Sequence, residues 1–246
     1  MTLTWSIETY ERLSSTQDEL KDRLNQGDEV TEGLVIQAIE QNAGRGRQGR
    51  LWYSPPGNLY MSLLLKPGCS LARSGSLSLV MALSIVRALE RLAGEQIGIT
   101  LKWPNDVFLN GKKCAGVLLE TETDASGNLS HVIAGIGINV ITAPADLGTA
   151  LYDDRKFKSL TLSGIRDKIL QEIARDYPVW LKKGFAPFKE EWLKRTCKTG
   201  TEITVGHFDR AIKGTFSSID EKGNLIITDP EGQERKIASG EIIQNS

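Results

Sequence analysis

The chain has 246 residues, long enough for one large domain or a large and a small one with a core that needs no staples. Thirty Lys and Arg against 31 Asp and Glu give a net charge of -1, which excludes a broad electrostatic surface for a nucleic-acid backbone or an anionic membrane; any anion site must be local. The 3 cysteines, Cys69, Cys114 and Cys197, are odd in number and far apart, which argues against a disulfide framework and a structural zinc and fits a reducing cytoplasm.

Glu8, Glu11 and Asp18 stand where a signal peptide would need an apolar run, and the apolar stretch Leu77 to Ala93 is broken by Arg87, Glu90 and Arg91, so neither a leader nor a membrane span is expected. Leu3 to Tyr10 reads as a strand. Ser14 to Gly27 reads as a helix, with Thr16 and Glu19 spaced as a capping box and Gly27 as the stop. A β-rich run, Gly33 to Gln41, leads into "AGRGRQGRLWYS", where Gly44, Gly46 and Gly49 have the G-x-G-x-x-G spacing of a dinucleotide fingerprint. That fingerprint must open a helix, whereas here Pro55, Pro56 and Gly57 lead into another strand, "NLYMSLLLK", and the dinucleotide reading fails.

Arg45, Arg47 and Arg50 then become the candidate anion holders, since each carries a planar fork suited to carboxylate or phosphate. The glycines would allow positive φ and a close approach of backbone to ligand. A solvated basic turn is the plain alternative. Ser74 to Gly94 is the strongest helix, apolar around most of its circumference and therefore central to the core. A strand, "IGITLKW", ends at "KWPNDV", where Pro104 halts the ladder and presents Asn105 and Asp106 from a turn; an ordinary Asn-Asp turn reads equally well. A hairpin around Asn110 and Gly111 returns Lys112 and Lys113 beside that turn.

After a turn at Asp124 to Asn128 comes a strand ending in "GIGIN", whose Gly135 and Gly137 leave one face bare, for a ligand, another backbone, or a bulge at Gly137. Helices are expected over Ser163 to Lys183, interrupted near Pro178, and over Ala186 to Thr196. From Thr201 short alternating strands separated by "DEKGN" and "DPEGQ" read as an all-β module of about 45 residues. A boundary near residues 197–200 divides the chain into 1–198 and 199–246. The fold class is α+β, a β-sheet with packed helices plus the small module.

His131 and His207 are the only histidines and lack metal-ligand spacing, no P-loop occurs, and no Ser-His-Asp hydrolase can be assembled. What remains is arginine, lysine, asparagine, one carboxylate and glycine-lined walls. Such a set stabilises negative charge and does not supply a protein nucleophile.

In this order, "GRGRQGRLW", "KWPNDV", "KKCAGVLLE" and "GIGINV" resemble the biotin protein ligase family, with "FAPFKEEW" and "SGEI" as weaker later landmarks. The resemblance implies a mixed sheet related to class II synthetases, followed by an SH3-like β module. It also implies a two-step reaction: ATP, with Mg²⁺, adenylates the biotin carboxylate to biotinyl-5′-AMP, and the acyl group passes to a lysine of a biotin carboxyl carrier protein or domain, such as that of acetyl-CoA carboxylase.

By the same resemblance Ser15, Thr16 and Gln17 bind the biotin rings, Gln41 precedes the loop, Gly44, Arg45, Gly46 and Arg47 meet biotin and the adenylate phosphate, and Trp52 covers the site. Lys113 meets the biotin carboxylate and later the acyl-phosphate oxygen, while Asn105, Asp106, Gly116, Gly137 and Asn139 line the cleft. Thr16 thus has two candidate jobs, cap and ligand. Arg45, Lys113 and Asp106 are the catalytic candidates, Asp106 either as base toward the acceptor lysine or as a structural residue; no residue is assigned to the metal. Many relatives carry an N-terminal helix-turn-helix domain, but the first strand begins at Leu3, so DNA binding is not expected. "IQNS" after "SGEI" lacks a basic residue that some relatives place there. A homodimer is left open. A lipoate ligase or octanoyl transferase of the same superfamily, and a non-catalytic biotin-binding module, are the alternatives.

Overall fold

The structure, a computed structural model, describes residues 3–27, 29–94, 97–145, 147–206 and 211–243. Its larger sheet has seven strands: β1 (Ser6–Leu13), β2 (Leu34–Gln41), β3 (Leu59–Leu65), β4 (Ile99–Lys102), β5 (Asp106–Leu109), β6 (Lys112–Thr123) and β7 (Leu129–Ile138). They lie in the order β1-β2-β3-β7-β6-β5-β4, with β1 and β2 parallel and every other neighbouring pair antiparallel. The sheet is therefore mixed. The first strand is set later than its composition suggests because Ser6 registers with Leu34; Trp5, ahead of it, packs on the core and donates its indole N–H to Leu170 O at 2.9 Å.

Alternation along the strands separates two faces. Val132, Ala134, Ile136 and Ile138 of β7, with Leu59, Met61, Leu63 and Leu65 of β3, face the main apolar core. There α2 (Ser74–Ala93) is buried over most of its circumference between the sheet and α3 (Leu162–Lys183), as its uninterrupted apolar character requires. The other face takes α1 (Thr16–Asn25), through a small cluster of Leu20, Val30, Leu34, Ile36, Leu64 and Ile133.

Two sequence expectations need correction. The N-cap of α1 is Ser15, whose Oγ accepts the Gln17 N–H at 3.2 Å; Thr16 is already helical, and its hydroxyl pairs with Ser62 Oγ at 2.7 Å instead of closing a capping box with Glu19. Further on, α3 runs without interruption through Pro178. The buried Tyr177 and Trp180 on either side, stacked with ring centroids 6.0 Å apart, anchor that turn against α2, so packing outweighs the lost backbone hydrogen bond. A short α4 (Ala186–Leu193) follows.

The C-terminal strands are β8 (Glu202–Gly206), β9 (Ile212–Ile219), β10 (Leu225–Thr228), β11 (Glu234–Ile237) and β12 (Glu241–Ile243), in the antiparallel order β11-β10-β9-β8-β12. Two turns in this sheet repeat one device. Asp220 Oδ1 accepts the N–H groups of Lys222 and Asn224, Asp229 Oδ1 those of Glu231 and Gln233, and Gly223 and Gly232 take positive φ. Val205, Phe216, Ile219 and Ile227 join the main core, so the apolar interior is continuous between the two sheets. At the junction Trp103 donates its indole N–H to Gly223 O at 2.9 Å, and a Cβ on Gly223 would lie 2.7 Å from Ser76 N.

Candidate active site

The face bearing α1 carries the site, and its floor is a row of cross-strand partners. Lys102 pairs with Asp106, Asp106 with Gly116, Gly116 with Gly137, and Gly137 with Tyr60, so two glycines separate a charged pair from a buried tyrosine. The next row runs Leu118, Gly135, Ser62. Bare backbone here is filled by side chains from above: a Cβ on Gly137 would stand 2.6 Å from the Trp52 indole, and one on Gly135 2.7 Å from the Gln17 side-chain oxygen. The close approach expected at "GIGIN" is therefore by side chains, and the register through Gly137 shows no bulge.

A bulge does occur one strand over. The register of β5 with β6 slips so that Val107 pairs with Ala115 and Phe108 with Lys113, placing both Cys114 and Ala115 in the core. The extra residue inverts the alternation, and Lys113 emerges on the same side as Gly116, where its Cε would lie 3.4 Å from a Gly116 Cβ. Its ammonium sits 2.6 Å from Asp106 Oδ1 and 5.3 Å from the centroid of Trp52. Among the described residues this is the one ion pair that either group makes.

The glycine-arginine segment folds as a small hairpin over this floor: Gly46 N donates to Arg50 O at 2.7 Å, Trp52 N to Gly44 O at 2.8 Å, and a 3-10 turn, Arg47–Gly49, forms the tip. Its glycines act differently from the expectation. Only Gly49 has positive φ, shared with Gln48; Gly44 is demanded by the loop itself, since a Cβ there would meet Trp52 O at 2.7 Å and Gln41 Nε2 at 2.9 Å. Gln41 ties α1 to the loop, accepting from Thr16 N at 2.9 Å and donating to Ser54 Oγ at 3.0 Å.

The three arginines part company. Arg45 Nη1 lies 2.6 Å from each Asp18 carboxylate oxygen, and its Nη2 lies 3.2 Å from Glu120 Oε1; Asp18, with Glu120 in support, holds its guanidinium above the ordinary arginine range. Arg50 forks onto Glu241 of β12 at 2.6 and 3.1 Å. Arg47 alone has no carboxylate: it donates to Gly240 O at 2.9 Å and to Asn105 Oδ1 at 3.5 Å, and burial pulls it below the arginine range although Asp106 and Glu241 oppose. Lys102 resembles Arg47, with burial lowering its ammonium against the opposing pull of Asp106 and Glu241 and its Nζ 5.3 Å from the Phe108 ring centroid. Gln48, Arg50, Lys102, Asp106, Lys113 and Glu241 line a cleft of about 620 Å³ between the two sheets.

Of the sequence candidates, Ser15, Thr16, Gln17, Asn105 and Asn139 are buried. Asn105 is fixed to β6, its backbone O accepting from Val117 N at 3.1 Å and its Nδ2 donating to Val117 O. Asn139 donates its N–H to Cys114 O at 2.8 Å, and its Nδ2 would lie 3.1 Å from a Cβ on Gly148. Asp18, Lys102, Glu120 and Glu241 were missed. Glu120 is two and four residues beyond Leu118 and Gly116, so strand alternation from Gly116 would have found it. His131 sits across from Glu122, its Nε2 3.7 Å away, and His207 lies outside the described residues, as does "QNS" at the end. All three cysteines are free, and among the described residues no three His, Cys, Asp or Glu converge as a metal site.

A helix start, a glycine floor and a wall of cations suit a ligase that joins an acid to a nucleotide, and comparison with known proteins agrees: residues 9–139 match the Biotin/lipoate A/B protein ligase family and the chain belongs to it. The biotin branch is the relevant one, because residues 199–243 match the Biotin protein ligase C terminal domain. The chain is 34% identical to the Bifunctional ligase/repressor BirA of Bacillus subtilis, over 95% of this chain and 72% of that protein. It is 34% identical to the Biotin--[acetyl-CoA-carboxylase] ligase of Paracoccus denitrificans, over 81% and 85%. Among solved structures, the biotin protein ligase from Aquifex aeolicus in complex with biotin and ATP superposes with a TM-score of 0.81 at 33% identity, covering 97% of both chains.

Proposed function

We propose that this chain is an ATP-dependent ligase that forms biotinyl-5′-AMP and transfers biotin to one lysine of a biotin carboxyl carrier domain, such as that of acetyl-CoA carboxylase. The observation that carries the reading is the convergence of Lys113 and Lys102 at one end of the glycine floor, with Arg47 reaching Asn105 beside them and the buried Ser15–Gln17 turn at the other end. An apolar ring system with polar edges fits the buried end, and a carboxylate meeting a triphosphate fits the cationic end. Residues 1–198 form the catalytic part and 199–246 the module that closes the cleft. Mg²⁺ would be held chiefly by the phosphates of ATP and by water, where it would offset their charge; among the described residues the cleft's carboxylates are Asp106 and Glu241, each already paired with a cation.

In the first step the biotin carboxylate attacks the α-phosphate and pyrophosphate leaves. Lys113 moves from Asp106 to the acyl-phosphate oxygen, while Arg47 and Lys102 hold the phosphates. The departure of Lys113 frees Asp106, which takes one proton of the acceptor ammonium; the amine then attacks the acyl carbon, AMP departs with the electron pair of the acyl–oxygen bond, and the second nitrogen proton passes to the leaving phosphate or to water. Arg45, whose charge is already matched by Asp18 and Glu120, acts by holding the loop.

No described helix is long and apolar enough to cross a membrane, which is compatible with the cytoplasmic setting proposed here. The near-balanced charge favours a protein partner over DNA. Incubation with ATP, Mg²⁺, biotin and a purified carrier domain should add the mass of one biotin on one lysine. Lipoate or octanoate replacing biotin as the acid that stimulates ATP–pyrophosphate exchange would overturn the assignment, as would tight biotin binding without transfer. Sedimentation of the same preparation reads whether the active species is a homodimer.

A further inference from the structure

The Gly44–Trp52 hairpin is tethered at both ends. At its tip, Arg47 and Arg50 reach Gly240 and Glu241 of the C-terminal sheet. At its base, Arg45 reaches two different elements, Asp18 on α1 and Glu120 on β6, and Lys21 of α1 takes the other Glu120 oxygen at 2.9 Å. These four groups, two of each sign, form a chain, Asp18–Arg45–Glu120–Lys21, about two-thirds or more buried except at Lys21. Among the described residues, the Asp18–Arg45 pair is the only ion pair joining the hairpin to α1.

The placement of Asp18 gives this pair a role beyond surface charge. It is the third helical residue of α1, directly after Thr16 and Gln17, and a carboxylate is favoured there by the helix dipole. The same turn that presents Ser15, Thr16 and Gln17 to the glycine floor therefore carries the anion that grips the hairpin, and the hairpin carries Trp52 onto that floor. A ligand held by the turn and roofed by Trp52 can leave only when the two separate.

We propose that Asp18 is a positioning residue that clasps the hairpin to the first turn of α1 through Arg45, and so sets how long biotin and its adenylate stay bound. The proposal rests on the ligase reading. Asp18 touches no reacting atom, so its removal should shorten residence and leave the chemical step alone.

The test uses the full chain and four variants: Asp18→Asn, Asp18→Glu, Arg45→Met and the double variant Asp18→Asn/Arg45→Met. For Asp18→Asn the dissociation rate of biotin, followed by chase with excess unlabelled biotin, should rise about five- to tenfold, the scale of a partly exposed charge-assisted pair. KM for biotin should rise in step, with kcat for pyrophosphate release within about threefold of wild type. Asp18→Glu should recover most of the loss, and Asp18→Asn should add nothing in the Arg45→Met background, because the effect travels through Arg45. An unchanged dissociation rate, a fall in kcat with KM untouched, or additive effects in the double variant would each overturn the proposal. A melting temperature lowered without a change in dissociation rate would do the same, reducing Asp18 to a structural residue. Failure of the wild type to label any carrier domain would refute the ligase reading instead, because biotin dissociation is measured independently of transfer.

Discussion

Replacing Lys113 with Met tests the charge logic of the cleft most directly. The ammonium is 2.6 Å from Asp106, and at an effective dielectric of about 20 two unit charges at that distance attract by roughly 6 kcal/mol. In the proposed reaction Lys113 exchanges this partner for a substrate oxygen at a similar distance, so the ground-state terms largely cancel. What remains is the interaction with charge that develops only in the transition state, about 2.7–4 kcal/mol for a single well-placed donor, or a factor of about 10² to 10³ in rate. Lys113→Met should therefore slow adenylate formation by that factor, measured as pyrophosphate release in a single turnover. Its partner variant, Lys113→Met/Asp106→Asn, should bind ATP better than Lys113→Met alone, since it no longer leaves a half-buried carboxylate without its ammonium beside incoming phosphates. A Lys113→Met rate within about tenfold of wild type would refute the reasoning.

Three further outcomes follow from the geometry. Gly137→Ala puts a methyl 2.6 Å from the Trp52 indole; an overpacking cost of about 1–3 kcal/mol should raise KM for biotin by roughly five- to 150-fold in steady-state kinetics. Gly223→Val adds a side chain at positive φ against the Ser76 backbone and should lower stability by at least about 2 kcal/mol in urea unfolding. Glu241 is held below its ordinary value of 4.5: burial pushes upward, but hydrogen bonds from Arg50, with Lys102 and Lys113 nearby, outweigh it. The lowered value means that its contribution is complete above 4.5 and lost as pH falls through the folded value, so the melting-temperature gap between wild type and Glu241→Gln should be open at neutral pH and close in acid.

Features decided by neighbours in the chain were legible in the residues. The Asn110-Gly111 hairpin has φ of 50° and 80° at its two centres, as its turn chemistry requires, and α2 ends at Gly94 after an apolar run that had to be buried. Features decided by distant partners were not. Thr16 looked like a cap because Glu19 is nearby, but its hydroxyl is bound to Ser62, 46 positions away. Pro178 should break a helix considered alone, and Trp180 buried against α2 keeps the helix intact. Within the site, the loop, the "KWPND" turn and the bare strand were recognisable because each breaks an ordinary pattern. Which arginine would be matched by a carboxylate was not, because Asp18, Glu120 and Glu241 come from three separate elements.

Those matched pairs give the cleft an unusual property. A pocket built of bare cations would cast its field far into solvent, gather any polyanion and depend steeply on ionic strength. Here Arg45, Arg50 and Lys113 each rest on an internal counter-ion, so most of the positive charge is cancelled within the protein and phosphate meets it chiefly at Arg47 and Lys102. Nucleotide capture by such a protein is governed by fit at short range, and cellular polyphosphates without the right shape meet a surface that is, from a distance, nearly uncharged.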